Sequence, residues 1–507
     1  MSQYLEPNET ALQKIKHIVV LMLENRSFDN LLGWLYDGET PPRGQEFEGL
    51  HSGLWNPLDN IDDGGIPFIE QVYIQKNGAA QSKSSKYSPP PEPDYTLPKP
   101  DPGEGYKDTN HQLFQFYDVA IEYPPKPTNM GFVNNYKNAM LYGTLTYGDA
   151  PTDPRKIMTC YTPQQTPVLS TLAKQFAVCD AWHCSIPSQT LPNRDFVHAA
   201  TSGGQVNNQP EENCDAPTIY NKIQETIKNN NRTDLSWKVY SGTSKGQPFS
   251  LTRLIMTQLH SPDLDANFVS INEFYKDASD GNLPSYSFLE PQFSNPGQND
   301  QHPPSDIRAG EQLIADVYNA VVNSPNWEET LLVITYDEHG GCYDHVAPPG
   351  HATPPDKTGA PGQYGFTFNR FGVRVPTVLI SPYIQAGTVC RPAGYTPFDH
   401  TSILATVRNC FNLDAPLTAR DAAAPDLSCV LTLETARTDK PVVSPLPFSP
   451  LKQKRTVNEL HQTIAGVLTK LTGKPHPEDE NIHDFIHKCY KEYFILRRQT
   501  NPAAKKQ

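Results

Sequence analysis

Two acidic stretches carry the residues best placed to do chemistry. The first is Glu24-Asn25-Arg26-Ser27-Phe28-Asp29, directly after the apolar run His17 to Leu23 (HIVVLML). The second is Tyr336-Asp337-Glu338-His339-Gly340-Gly341, directly after Thr330 to Thr335 (TLLVIT), with Asp344 and His345 following. Oxygen-bearing side chains straight after an apolar strand either cap the next helix or ligate a hard cation. Glu24, Asn25, Asp337 and Glu338 together offer four oxygen donors. Three buried carboxylates left unpaired would repel one another, and a divalent cation removes that repulsion. The Gly340-Gly341 pair lets the backbone fold back, so that both acidic groups can face one point. His339, His345 and His351 in this loop have the plainer reading of local hydrogen bonding.

A third segment, Ser185 to Arg194 (SIPSQTLPNR), supplies hydroxyls. Thr190 stands two residues before Pro192, and a proline near a helix start leaves backbone N–H groups free for an anion. A hydroxyl there, beside a metal, can ionise and attack phosphorus. An ordinary helix cap is the alternative, and Ser185 and Ser188 are rival hydroxyls. Arg194 either neutralises charge on a phosphoryl group or braces the loop through an ion pair.

The elements that must position these groups follow an α/β pattern. Short apolar runs rich in β-branched residues alternate with helical periods, the signature of a mostly parallel sheet flanked by helices. Strands are expected at His17 to Leu23, Ala177 to Asp180, Ser236 to Tyr240, Tyr286 to Leu289, Thr330 to Thr335 and Val373 to Ile380. Pro376 points to an irregular or edge position for the last. Helices are expected at Thr166 to Phe176, from Asp306, and at His400 to Cys410. In such a sheet, ligands sit at the carboxyl ends of the strands, where both acidic stretches lie.

The chain has 507 residues, 37% hydrophobic and 10% aromatic, enough apolar surface for a core. Its 42 basic and 56 acidic residues leave a net charge of −14 with no basic stripe, which argues against nucleic acid as a partner. Prolines number 49, concentrated in Ser88 to Pro102 and Tyr123 to Pro127, which must be extended. Residues 38–127 therefore read as a long Pro-rich insertion, and Gly38 to Gly105 as one surface excursion. Residues 1–413 form the expected main domain. Residues 414–507 are a Pro/Ala-rich linker with helices at Val457 to Leu471 and Ile482 to Leu496, a cap or tail, and Arg497 to Gln507 are expected to fray. Nine scattered cysteines with no CxxC pair indicate free thiols in a reducing compartment. Without an apolar leader, the expected destination is cytoplasmic, or export by a route that needs no signal peptide.

Four motifs in order, HIVVLMLENRSFDNLLG, TLPNR, LEP…QHPP and ITYDEHGGCYDHVAPP, resemble the phosphoesterase family of bacterial phosphocholine-preferring phospholipases C and related acid phosphatases. The resemblance spans roughly residues 15 to 413. It implies an alkaline-phosphatase-like fold, and a metal held by Glu24, Asn25, Thr190, Asp337 and Glu338, with Thr190 as nucleophile. It also implies substrate-contacting histidines at His302 and His111, with His260 and His400 as weaker matches beside Arg194, Asp344 and His345. Acid-phosphatase members carry serine and paired aspartates where Thr190 and Glu338 stand here. The expected activity is phosphoester hydrolysis of the phospholipase C type, with a broad phosphomonoesterase as the alternative. Its substrate is a small phosphoester or a phospholipid, reached through transient contact with a membrane surface. The metal is calcium, magnesium, manganese or zinc. A choline-like head group calls for aromatic faces, for which Tyr106, Phe132, Trp182 and Tyr343 are candidates. A non-catalytic scaffold is the remaining class, disfavoured because Thr190 and all four ligand candidates are present. The oligomeric state is not encoded in these patterns.

Overall fold

A computed structural model describes residues 5–61, 64–78, 92–118, 126–146, 152–208, 214–244, 247–295, 297–356, 360–449 and 457–496. Its centre is an eight-stranded sheet. In chain order the strands are β1 (His17–Leu23), β2 (Ala177–Val178), β3 (Trp237–Ser241), β4 (Phe268–Ser270), β5 (Tyr286–Glu290), β6 (Thr330–Tyr336), β7 (Val378–Ile380) and β8 (Thr388–Val389). Their order across the sheet is β4-β3-β5-β1-β6-β7-β2-β8. All neighbours run parallel except β7, which is antiparallel to both β6 and β2.

The unbroken apolar run of β1 follows from its place. It pairs with β5 on one side and β6 on the other, and six of its seven residues are buried. A strand covered on both faces by helices has no reason to alternate. The helices Pro167–Gln175, Ile307–Val322 and His400–Phe411 stand where helical periods were expected, and Asp306 caps the second through Arg308 N–H. The sheet is thus mostly parallel and flanked by helices.

Three expectations need correction. Val373 to Ile380 shortens to Val378–Ile380 and lies inside the sheet, not at its edge. Pro376 sits outside the paired residues, so its missing N–H costs no ladder bond there. The stretch Gly38 to Gly105 is more than a surface excursion. Trp55–Ile61 and Pro67–Tyr73 pair as an antiparallel hairpin, and Leu50, Leu58, Val72 and Ile74 enter a second buried cluster with Leu113, Phe132 and Tyr343. The short strands Phe268–Ser270 and Thr388–Val389 carry no periodic signal and were not expected. Residues 79–91, 119–125 and 497–507 lie outside the described set, and with them parts of the proline-rich segments and the C-terminal end.

Helices Glu459–Thr472 and Ile482–Tyr490 follow the Pro/Ala-rich segment. Their apolar side chains Leu460, Ile464, Leu468, Ile482 and Ile486 join the same buried cluster as the sheet. No helix among the described residues is long and apolar enough to cross a membrane. All nine cysteines are free.

Candidate active site

The β1–β6 pairing sets the site. Leu23 stands opposite Tyr336, so the next residues, Glu24 and Asp337, leave the sheet side by side. Asn25 N–H donates to Asp337 Oδ1 at 3.0 Å, and Glu338 N–H donates to the same oxygen at 2.8 Å. Asn25 adopts a left-handed backbone, φ 56°. Gly340 and Gly341 are required behind it. Both have positive φ, and a Cβ would come within 2.1 Å of the Asn25 carbonyl at Gly340 and 2.4 Å of the Gly103 carbonyl at Gly341. The reversal read from that glycine pair is therefore real, and it seats three chain segments against one another.

Thr190 is the first residue of helix Thr190–Ala199 and is fully buried. Its Oγ1 lies 3.3 Å from Glu24 Oε2 and 3.4 Å from Asn25 Oδ1. The rival hydroxyls are engaged elsewhere. Ser185 donates to Asp399 at 2.9 Å, and Ser188 donates to the Val206 carbonyl. Asn193 holds the approach to the helix, donating to the carbonyls of Ser188 and Gln189 at 2.8 and 3.1 Å.

Arg194, one turn further along, is a brace. It is fully buried, pairs with Glu24 and reaches Asp337 Oδ2 at 3.4 Å. Of its two expected roles, the ion pair is the one formed. His400 supports the same carboxylate from behind. Trp182 Nε1–H donates to His400 Nδ1 at 3.4 Å, so the proton sits on Nε2, which donates to the Asp337 carbonyl. His400 is thus a positioning residue rather than a substrate contact.

Other expected residues are not brought to the cluster. Asp344 and His345 form a separate buried network. Arg374 binds Asp29 at 2.9 Å and Asp344 at 3.0 Å, while His345 Nδ1 lies 2.6 Å from Asp29. Their charges are satisfied among themselves. His260 Nε2 donates to the Leu254 carbonyl at 3.3 Å, and the ring packs on Tyr493 and Phe494. The ring of His111 stacks on Tyr117 at 4.4 Å, and none of its described contacts joins it to the acidic cluster. Its neighbour Gln112 does the work from that helix, binding Gly103 O at 2.6 Å and His339 at 2.7 Å. Among the aromatic candidates, Tyr106 lines the adjoining cavity, whereas Phe132, Trp182 and Tyr343 are buried in the cores.

His302 is buried beside the cluster. Its Nδ1 lies 2.7 Å from the Pro303 carbonyl, which places the proton on Nδ1 and leaves Nε2 a lone pair without a partner. Burial pushes its pKa down to about 4. A neutral imidazole with an unprotonated Nε2 can accept a proton or ligate a cation.

Two further acids carry no motif or periodic signal. Asp101 and Glu104, from the proline-rich segment, line a cavity of about 620 Å³ with Asp108, Glu459, Tyr106, Tyr117 and Tyr364. Glu104 Oε2 accepts from Asn25 Nδ2 at 2.6 Å. Glu459 comes from the C-terminal helix and accepts from Asn208 Nδ2 at 2.8 Å. Carboxylates thus converge with little compensation. Burial first, then Asp337 against the opposing charge of Arg194, holds Glu24 well above the usual carboxylate range. Glu338 and Glu104 are raised by burial and by their acidic neighbours. Asp337 Oδ2, Glu338 Oε1 and Glu104 Oε1 are buried without a hydrogen-bond partner. Oxygen donors in this state fit a hard divalent cation, which Glu24, Asn25, Asp337 and Glu338 would hold with Thr190.

The family model for the phosphoesterase family matches residues 15–414, the stretch that contains every one of these strands. The chain belongs to that family. It is 34% identical over 479 residues to Non-specific phospholipase C6 of Arabidopsis thaliana, covering 90% of this chain and 81% of that protein. Identity to Non-specific phospholipase C3 of the same plant is 36% over 454 residues, 85% of this chain and 76% of that one. Phospholipase C B of Mycobacterium tuberculosis is 28% identical, covering 82% and 77%. Solved structures are more distant. An alkaline phosphatase superfamily protein from Vibrio parahaemolyticus has 13% identity and a TM-score of 0.29 over 52% of this chain and 65% of its own. The lipoteichoic acid synthase LtaP from Listeria monocytogenes has 11% identity and a TM-score of 0.30 over 52% and 69%. The protein is a phosphoric ester hydrolase.

Proposed function

We propose that this hydrolase is a phospholipase C that cleaves phosphocholine-type diesters, with Thr190 as the nucleophile. The observation that carries the reading is the placement of Thr190 Oγ1 between Glu24 Oε2 and Asn25 Oδ1 at the start of a helix. The Thr190 hydroxyl donates towards Glu24, and its neighbour Gln189 lines the cavity. Attack on phosphorus expels the alcohol and leaves the head-group phosphate esterified to Thr190, and water then hydrolyses that ester. A divalent cation on Glu24, Asn25, Asp337 and Glu338 would make the Thr190 hydroxyl more acidic and offset charge on the phosphoryl oxygens. Arg194 keeps Glu24 and Asp337 in place for this, and His400 fixes the turn that carries Asp337.

Two observations favour the diester over the phosphomonoesterase alternative. The cavity carries Asp101, Glu104, Asp108 and Glu459 against one lysine, Lys107, which is itself paired with Asp118 at 3.0 Å. Carboxyl groups and tyrosine faces, with the cavity's one lysine already paired, suit a cationic head group better than a phosphate dianion. The hairpin of residues 55–73 also exposes Ile61, Ile66 and Ile69 by 64%, 64% and 68%, side chains suited to transient contact with a lipid surface. The relatives named as phospholipases C point the same way.

The test compares p-nitrophenyl phosphocholine with p-nitrophenyl phosphate, each with and without chelator. Preference for the diester, abolished by chelator, supports the reading. Preference for the monoester would assign the chain to the phosphatase alternative with the same nucleophile.

A further inference from the structure

The hairpin of Trp55–Ile61 and Pro67–Tyr73 departs from the usual division of an antiparallel ribbon into an apolar inner face and a polar outer one. Its register pairs Leu58 with Glu70, Asn56 with Val72, Asp59 with Ile69 and Ile61 with Pro67. Side chains alternate along each strand, so Leu58 and Val72 share one face, and both are buried. Ile61, Pro67 and Ile69 share the other. Ile61 and Ile69 are 64% and 68% exposed on that face, where contact with water alone would favour polar residues.

Single apolar side chains on a surface carry no message, whereas a cluster beside a cavity does. Of the nine large apolar side chains exposed among the described residues, four are on this hairpin. Three more, Phe116, Leu141 and Tyr364, belong to the cavity wall or stand close to it in the chain. Helix Phe132–Thr146 joins the two places. Its Asn134 accepts from Asp59 N–H at 2.9 Å, and its Lys137 donates to the Asp59 carbonyl at 2.8 Å. Within the next turn Ala139 lines the cavity and Leu141 is 58% exposed. Asn138 donates to the hydroxyl of Tyr117 at 2.8 Å, and Tyr117, next to the exposed Phe116, lines the cavity too.

Charge decides what such a surface can meet. Trp55 to Tyr73 contains four acidic residues and no Lys or Arg. The helices beside it carry one lysine each, and both are engaged, Lys137 at the Asp59 carbonyl and Lys107 with Asp118. An anionic lipid layer finds no free cation on these elements, and the net charge of −14 opposes it. A zwitterionic layer, whose outermost groups are choline cations, meets acids and apolar side chains together.

We propose that the outer face of the hairpin, with Phe116 and Leu141, docks on a zwitterionic phospholipid layer and sets the cavity against it, so that the chain works at an interface. The proposal deepens the diester reading and rests on it, because the layer that the hairpin enters is the source of the head groups for the cavity. So few apolar side chains give reversible association rather than anchorage.

The test sediments the full-length protein with vesicles of phosphatidylcholine and with vesicles of phosphatidylglycerol. The variants are the doubles Ile61→Ser with Ile69→Ser and Phe116→Ser with Leu141→Ser, the second pair serving should the first fail to fold, and circular dichroism checks both. The wild type should prefer phosphatidylcholine, and each folded double variant should lose about tenfold or more of that association. Hydrolysis of phosphatidylcholine in vesicles should fall with it, while turnover of dissolved p-nitrophenyl phosphocholine stays within about twofold of the wild type. Unchanged association in the folded variants, or a preference for phosphatidylglycerol, would overturn the docking face. A wild type that ignores vesicles and forms a dimer on gel filtration, broken by the same substitutions, would give the face to a second copy of the chain and overturn it equally. Failure of the diester reading looks different: the wild type would turn over neither choline substrate, yet its vesicle association and the loss in the variants would persist, leaving the docking face in place.

Discussion

The side-chain amide of Asn25 donates to Glu104 across 2.6 Å, joining the turn after the first strand to a residue 79 positions later in the chain. Asn25 is one of the residues that the motif after β1 makes conspicuous, whereas Glu104 lies in a proline-rich stretch without periodicity. The bond brings an inserted segment into the site and adds a carboxylate to a cluster that already has three.

Arg194 is the only side-chain cation given an ion pair to that cluster among the described residues, and it is fully buried with Glu24 and Asp337. Arg194→Met should destabilise the metal-free protein by about 3–5 kcal/mol, because two carboxylates are left in the interior without their partner. Added divalent cation should recover part of that loss. Thermal denaturation with chelator and with excess cation measures both effects, and an unchanged melting temperature in chelator would contradict the bracing role.

Cation uptake should release protons. Glu24, Glu104 and Glu338 all stand well above the usual carboxylate range, chiefly through burial, so the metal-free site keeps protons into a pH range where ordinary carboxylates have lost them. A cation binds only the ionised forms and must expel those protons. Affinity is therefore expected to rise with pH. The linked stability effect has the same origin: a carboxyl with a raised folded pKa stabilises the fold fully below its unfolded value and progressively less as pH rises towards its folded one. Calorimetric titration in two buffers of different ionisation heat reads the proton count, and a count of zero at pH 6 would refute this.

His345 gives a pH effect away from the site. Burial alone would lower its pKa, but the charge and hydrogen bond of Asp29, helped by Glu48, outweigh burial and raise it from 6.5 to about 9. The pairing then stabilises the fold fully below pH 6.5, and the contribution is lost as pH rises through about 9. Its size is on the order of 3 kcal/mol. Urea denaturation of wild type and His345→Gln at pH 6 and pH 9.5 should show a gap that shrinks at the higher pH. A gap independent of pH would mean that the ring acts through packing alone.

What could be read from the sequence follows from the physics of each element. β1 was legible to the residue because an all-apolar, β-branched run has few other uses, and the acids after β1 and β6 stand out against such runs. Thr190 was legible only through the proline after it and the family pattern, and it needed the structure to separate it from Ser185 and Ser188. Glu104 and Glu459 could not be found. One lies in a segment whose course is set by prolines rather than periodicity, and the other begins a helix whose docking depends on tertiary packing. The histidines illustrate the opposite error. His260 and His345 were weaker matches than His302, and burial and partners separate the three further: one is a packing residue, the second a member of an ion network, and the third keeps a nitrogen without a partner beside the site.

The most direct measurement is turnover of p-nitrophenyl phosphocholine by the wild type, Thr190→Ser and Thr190→Ala, with circular dichroism to confirm folding. Thr190→Ala should lose about 10³-fold or more, while Thr190→Ser, which retains a hydroxyl, should keep measurable activity. Thr190→Ala activity within tenfold of the wild type would show that another group attacks phosphorus.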